Sequence, residues 1–195
     1  MEASELMASR LFAIRRTMAE VRGIEARQGV TRDGLDAIRA ALLALAGQRG
    51  LFPADEFPPP PPGRPGGRRH RLQRDVGGRF ALDLHVLNPG TETAPHDHGT
   101  WAVVVAVEGQ VLNRLYDPVE PPGHTAPAPL RLRGEVAVEP GRGLALLPDE
   151  VHSIHVAGPG PARHLHLYGV ALEQQRRRRS FGQDAQAAGQ RGIGR

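Results

Sequence analysis

His96-Asp97-His98-Gly99-Thr100-Trp101 is the stretch on which the reading of this chain turns. The two histidines sit at the end of a predicted strand, where successive side chains alternate faces, so His96 and His98 point one way and Asp97 the other. A third histidine, His152, sits in a later strand-turn segment. Three imidazoles on one face suit a first-row transition metal. The 195 residues include no cysteine, which excludes disulfides, thiolate ligands and a cysteine nucleophile. Any metal must be held by nitrogen and oxygen.

Outward from this stretch the sequence breaks into short strands. Phe80, Leu82, Leu84 and Val86 alternate with Ala81, Asp83 and His85. Trp101 to Val107 is a buried-strand run, and Gln110 to Tyr116 follows the tight Glu108-Gly109 turn. Pro118 to Pro129 is a loop, after which Leu130–Val138, Gly143–Leu147, Val151–Val156 and Arg163–Leu172 read as strands. Strands at this spacing, punctuated by Gly and Pro, predict a β-sandwich or barrel over residues 68–181.

The first 50 residues differ in pattern. Leu11, Ile14, Met18 and Val21 recur at three- and four-residue steps and predict an amphipathic helix over 4–28. A second helix is predicted over 32–46, with Thr31 as N-cap, Gly47 as stop, and Leu35, Ile38, Leu42 and Leu45 as its stripe. The pair reads as a helical hairpin packed on the main domain. Residues 51–67, with five consecutive prolines from Pro58 to Pro62, form a stiff extended stretch, a covering strap or linker. Residues 182–195 have no periodicity and read as a disordered tail.

No run of 18 apolar residues is present, so no membrane span is expected. Neither is a basic-then-apolar leader, so the cytoplasm is the expected compartment. The net charge of +4 comes entirely from arginine, since all 25 basic residues are Arg, and it concentrates in Arg176 to Arg179, Arg191 and Arg195. Aromatic residues for base stacking are scarce, so this end reads as solvated and not as a nucleic-acid surface. The N-terminal helices offer no clear recognition helix. A monomer or small homo-oligomer is expected.

The framing of the histidines resembles the cupin superfamily. Gly90, five residues, His96-Asp97-His98 and then Gly109 stand in the register of the first cupin motif, while the position of its usual Glu falls on Ala102. The second motif is visible as Gly143, Pro148 and His152. The resemblance implies a mainly β cupin-type barrel or jelly roll with an N-terminal α-helical hairpin. It also implies a ligand set of three neutral histidines, His96, His98 and His152. Three ligands on one face of an octahedral ion leave the opposite face for substrate and dioxygen, as in non-haem Fe(II) oxygenases.

A narrower resemblance is to the cupin-type thiol dioxygenases, the cysteine dioxygenase and 3-mercaptopropionate dioxygenase family. It rests on HDHGTW, the Glu108-Gly109 turn, Asn113-Arg114-Leu115-Tyr116, His152-Ser153, and Leu165-His166-Leu167-Tyr168-Gly169, and covers residues 68–181. It implies Fe(2+) as cofactor, a small carboxylate-bearing thiol and O2 as substrates, and a sulfinate product. A Ser-His-Tyr series on one strand face maps onto His164, His166 and Tyr168, with His164 departing from the usual Ser. The Tyr hydroxyl would bond substrate or oxygen, and His166 would orient it. The Cys that some members link to this Tyr falls at about Val103.

The family supplies an Arg for the substrate carboxylate, either before the first long strand or beyond the Tyr. Arg69 and Arg71 fit the first position, Arg177 and Arg179 the second. The resemblance leaves other readings open: a cupin dioxygenase or isomerase of non-thiol substrates, or a non-enzymatic cupin binding a small ligand. His155 competes with His152 but lies on the other strand face; Trp101 reads as core beneath the metal, and His85 and His124 as structural or exposed.

Overall fold

A computed structural model describes residues 3–119, 129–176 and 178–181. Arg177, His124 and the 182–195 tail lie outside the described residues. The strands are β1 (Gly67–Gln73), β2 (Arg79–Leu87), β3 (Ala102–Glu108), β4 (Val111–Pro118), β5 (Leu130–Val138), β6 (Gly143–Leu146), β7 (Val151–His155) and β8 (Ala162–Val170). They form a five-stranded sheet in the order β1-β2-β8-β3-β6 and a three-stranded sheet in the order β5-β4-β7, with every pairing antiparallel. This is the cupin-type jelly roll expected from the sequence, with two N-terminal helices. Strand β1 (GRRHRLQ) is an edge strand with much of its surface in solvent, so no apolar alternation marks it in the sequence.

Side-chain alternation divides the large sheet into two faces with different chemistry. Leu82, Leu84 and Val86 of β2, Val103, Val105 and Val107 of β3, and Leu165 and Leu167 of β8 form the outer face. The other face carries Ala81, Asp83 and His85, then Ala102, Val104 and Ala106, then His164, His166 and Tyr168. The register aligns these residues as His85↔His164, Asp83↔His166 and Ala81↔Tyr168. The interior is therefore largely polar toward β2 and β8, and apolar toward β6 and β5, where Leu144, Leu146 and Val138 pack.

The helices cover the apolar outer face. Helix α1 (Ala3–Gln28) buries Ile14, Met18 and Val21, and α2 (Arg32–Ala46) buries Leu35, Ile38, Leu42 and Leu45, in one cluster with the outer-face strand residues. Thr31 caps α2: its Oγ1 accepts from the Gly34 N–H at 3.1 Å. Leu11 sits at the margin, 41% exposed, because Arg10 takes the buried position beside it and donates to the Leu51 carbonyl and Glu56. Glu25 ties α1 to the barrel, accepting from Trp101 Nε1 at 2.9 Å and from Arg79 at 2.8 Å. Among the described residues no helix is long and apolar enough to cross a membrane.

The proline segment lies against the barrel. Asn88 Nδ2 donates to the carbonyls of Pro61 and Arg64 at 2.9 and 3.0 Å, and Thr91 Oγ1 exchanges bonds with Gly66 N–H and C=O. Phe52 and Phe57 are buried, with Phe57 edge-on to His70.

The largest apolar cluster therefore spans the helices and the outer sheet face. Leu42→Ala is expected to lower stability by about 2–5 kcal/mol, and Leu11→Ala to change it by no more than about 0.5 kcal/mol. Denaturant unfolding of both variants checks this; equal, small effects would detach the hairpin from the core.

Candidate metal centre

His96 and His98 do not lie in a regular strand, as the sequence suggested, but in an extended segment between β2 and β3 that makes single bridges. His96 pairs with His152 of β7 through N–H···O=C bonds of 2.8 and 2.9 Å in both directions. That exchange brings the two histidine-bearing segments side by side. The ligand atoms of His96, His98 and His152 all lie within 4.8 Å of one another, and the three residues are buried. His155 is turned away, its Nδ1 2.5 Å from Glu92.

The far side of each ring is set by an oxygen. His96 Nδ1 donates to the Ala94 carbonyl at 2.9 Å, and His152 Nδ1 donates to Asn113 Oδ1 at 3.1 Å. The orientation of Asn113 is fixed, because its Nδ2 donates to the Val111 carbonyl. Both rings therefore carry their proton on Nδ1 and present the Nε2 lone pair to the site. His98 Nε2 stands 3.0 Å from His152 Nε2.

A positive centre must sit between two such nitrogens. A proton placed there would leave His98 Nδ1 as a bare buried acceptor beside the unpaired, buried Gln175 Oε1. A metal ion lets His98 Nδ1 keep its proton, turned toward Gln175, which acts on that ring although neither atom makes a hydrogen bond. Nitrogens about 2.1 Å from one ion and at right angles to each other are about 3.0 Å apart. The donor set thus fits a divalent transition metal held by His96, His98 and His152, and no carboxylate joins the group among the described residues.

Burial keeps these groups neutral. It is the main cause that lowers His96, His152 and His166, and that brings His98 down to about 3. The charges of neighbouring imidazoles and of Arg178 also lower His98 and His152. Burial likewise raises Tyr168, so its hydroxyl stays protonated.

His166 Nδ1 and the Tyr168 hydroxyl are bonded at 3.0 Å, and the Tyr168 ring lies 5.1 Å from His98. Ala102 is the cross-strand partner of Tyr168, and its small methyl leaves the phenol its place beside His98. Val103 belongs to the helix-side core, on the opposite face from Tyr168. Gly169 is required by Trp101: a Cβ there would lie 2.5 Å from the indole nitrogen. His164 is buried beyond His166 with Nε2 unpaired, and His85 stacks on His166 at 4.0 Å.

The arginines separate clearly. Arg69 and Arg71 both pair with Glu173, and Arg69 also approaches the buried Asp83. Arg179 is held by Asp97. Arg178, not singled out by sequence reasoning, acts electrostatically on all three metal-site histidines and on Tyr168. Asn113 and Gln175 were likewise not assigned a role; Asn113 lies in a quoted motif, but its task depends on β4 pairing with β7.

His85 and His164 carry a consequence for pH. Burial foremost, then the charge of Arg69, lowers His85 to about 4; burial, then His85, lowers His164 to about 3. In the unfolded chain both take up protons below about pH 6.5. The unfolded state binds more protons in this window, so stability falls as pH drops. The thermal midpoint of metal-stripped protein should be level above about pH 7 and fall between about 6.5 and 5, with a shallower fall for His85→Phe. A level midpoint across that window would contradict neutral, buried imidazoles.

No family model matches the chain, and no curated protein matches it. Solved structures do. A double-stranded β-helix protein from Klebsiella pneumoniae is 17% identical over 62% of this chain and 84% of its own, with a TM-score of 0.45. A cupin 2 domain-containing protein from Halorhodospira halophila is 21% identical over 67% and 84%, with a TM-score of 0.46. An oxalate oxidase in complex with the substrate analogue glycolate is 15% identical over 70% and 68%, with a TM-score of 0.47. The cupin-type assignment rests on the strand order and sheet pairing described above.

Proposed function

We propose that the protein is a mononuclear Fe(II) thiol dioxygenase that converts a small carboxylate-bearing thiol to its sulfinate. The overall change is R–S⁻ + O2 → R–SO2⁻: two S–O bonds form, the O–O bond breaks, and the sulfur gives up four electrons to dioxygen. The observation that carries the reading is the convergence of three neutral imidazoles, those of His96 and His152 tethered through Nδ1, beside a protonated tyrosine. Iron, when bound, supplies the redox chemistry with dioxygen and a binding point for sulfur.

The chain's own residues do the rest. His96, His98 and His152 hold the ion without adding negative charge, which favours an anionic thiolate partner. Ala94 and Asn113 orient the His96 and His152 rings. The Tyr168 hydroxyl, bonded to His166 Nδ1, supplies a polar contact beside the ion for substrate or oxygen. His164 and His85 back His166 where the family pattern has a serine, through the stack on its ring and the strand register. Of the candidate carboxylate-binding arginines, Arg178 is favoured. Arg69 and Arg71 already share Glu173, and Arg179 is taken by Asp97; Arg177, outside the described residues, stays a candidate beside Arg178.

Anaerobic titration should give one tightly held Fe(II) per chain, and His96→Ala, His98→Ala or His152→Ala should abolish retention. Retention by all three variants would remove the ion from this site. With iron-loaded protein and a panel of thiols, oxygen uptake should match sulfinate formation one to one. Tyr168→Phe should keep its iron while turnover falls about 10- to 100-fold or loses coupling to oxygen uptake. Oxygen uptake with non-thiol substrates only would favour a different cupin oxygenase.

A further inference from the structure

The alternation that gives His96 and His98 to the metal face gives Asp97 to the opposite one, and Asp97 is not idle there. Its carboxylate is 1% exposed and uses both oxygens on one residue: Oδ1 accepts from the Arg179 backbone N–H at 2.8 Å, and Oδ2 from Arg179 Nε at 2.6 Å. The Asp97 N–H in turn donates to the Arg179 carbonyl at 3.1 Å, and the Phe181 N–H donates to the Pro95 carbonyl at 2.8 Å. Phe181 is buried with Tyr116, Leu130 and Val151. Residues 178–181 thus lie antiparallel along the His-Asp-His segment, with a bridge between His96 and Ser180.

The register of this pairing has a definite outcome. With His96 opposite Ser180 and Asp97 opposite Arg179, Arg178 falls opposite His98. Directly opposed residues of an antiparallel pair share a face, so Arg178 stands on the metal face. It is exposed, and among the described residues no carboxylate pairs with it. An arginine fork with no carboxylate partner among the described residues, on the face of a candidate metal site, is suited to an anionic group such as a carboxylate.

We infer that Asp97 is a positioning residue: its clasp on Arg179 fixes the 178–181 segment in register and so sets Arg178 over the metal face to receive the carboxylate of the substrate. This rests on the thiol reading above for the substrate, but not for the clasp itself. Asp97 engages the Arg179 main chain as well as its guanidinium, so it fixes where the segment runs and not only its charge. The aspartate between two metal ligands thereby couples the metal-holding hairpin to substrate recognition.

The test compares Asp97→Ala, Arg179→Ala and Arg178→Ala in the full-length, iron-loaded protein. Arg179→Ala leaves the ligand hairpin's own sequence intact, so it decides the matter should Asp97→Ala fail to fold. Chymotrypsin cleavage after Phe181 should be about tenfold faster in Asp97→Ala and Arg179→Ala than in wild type, and unchanged in Arg178→Ala. All three should bind iron as wild type does. KM for a carboxylate-bearing thiol should rise about tenfold in all three with a smaller change in kcat, while KM for a thiol lacking a carboxylate stays within about twofold. Unchanged protection of Phe181 in both clasp variants overturns the clasp. Faster cleavage with unchanged KM, or an equal rise in KM for both kinds of thiol, overturns the positioning role. Should the wild type oxidise no thiol, the proposed reaction falls. The cleavage rates then still judge the clasp, and binding of a carboxylate-bearing against a carboxylate-free thiol to the iron-loaded protein judges Arg178.

Discussion

The two-way backbone exchange between His96 and His152 is the constraint on which the site depends. It joins two segments more than fifty residues apart and brings their imidazoles to one point. Burial then does the electrostatic work. A charged imidazole is costly to desolvate, so the enclosed rings stay neutral, and a neutral ring with its Nδ1 proton held by an oxygen can only offer Nε2 to an ion.

A barrel lined by histidines, a tyrosine and an aspartate supplies little apolar burial along that wall. The molecule meets this by building its largest hydrophobic cluster on the other face of the same sheet, against the helical hairpin. Period-two alternation in β2, β3 and β8 serves both purposes at once: every second residue anchors the helices, and those between face the interior. The helices are thus a condition for a polar interior. Glu25 extends this link to the metal hairpin by holding the indole of Trp101 from α1.

The metal hairpin is also where the ends of the chain's architecture meet. On one side His152 comes from the small sheet, oriented by Asn113 of its neighbouring strand. On the other, the 178–181 segment returns to lie along it, locked by a buried carboxylate. Three parts of the chain distant in sequence therefore contribute to one small volume, so a substitution in any of them acts on the site.

Much of the fold was legible because its signals are local. Alternation gave the strands, three- and four-residue spacing gave both helices, and Thr31 gave the start of α2. Edge strand β1 escaped, since a strand that is largely solvated need not alternate in hydrophobicity. The grouping of His96, His98 and His152 was implied by the resemblance of their framing to the cupin motifs, and the three ring nitrogens do lie together. What residues 97, 113 and 178 do could not be read, since each acts on a partner set by chain pairing far along the sequence. The sequence by itself determined which face each side chain takes, because that depends only on the backbone repeat. Only the tertiary structure decided which faces meet and which of the described arginines are already paired with carboxylates, because those outcomes depend on long-range register and burial.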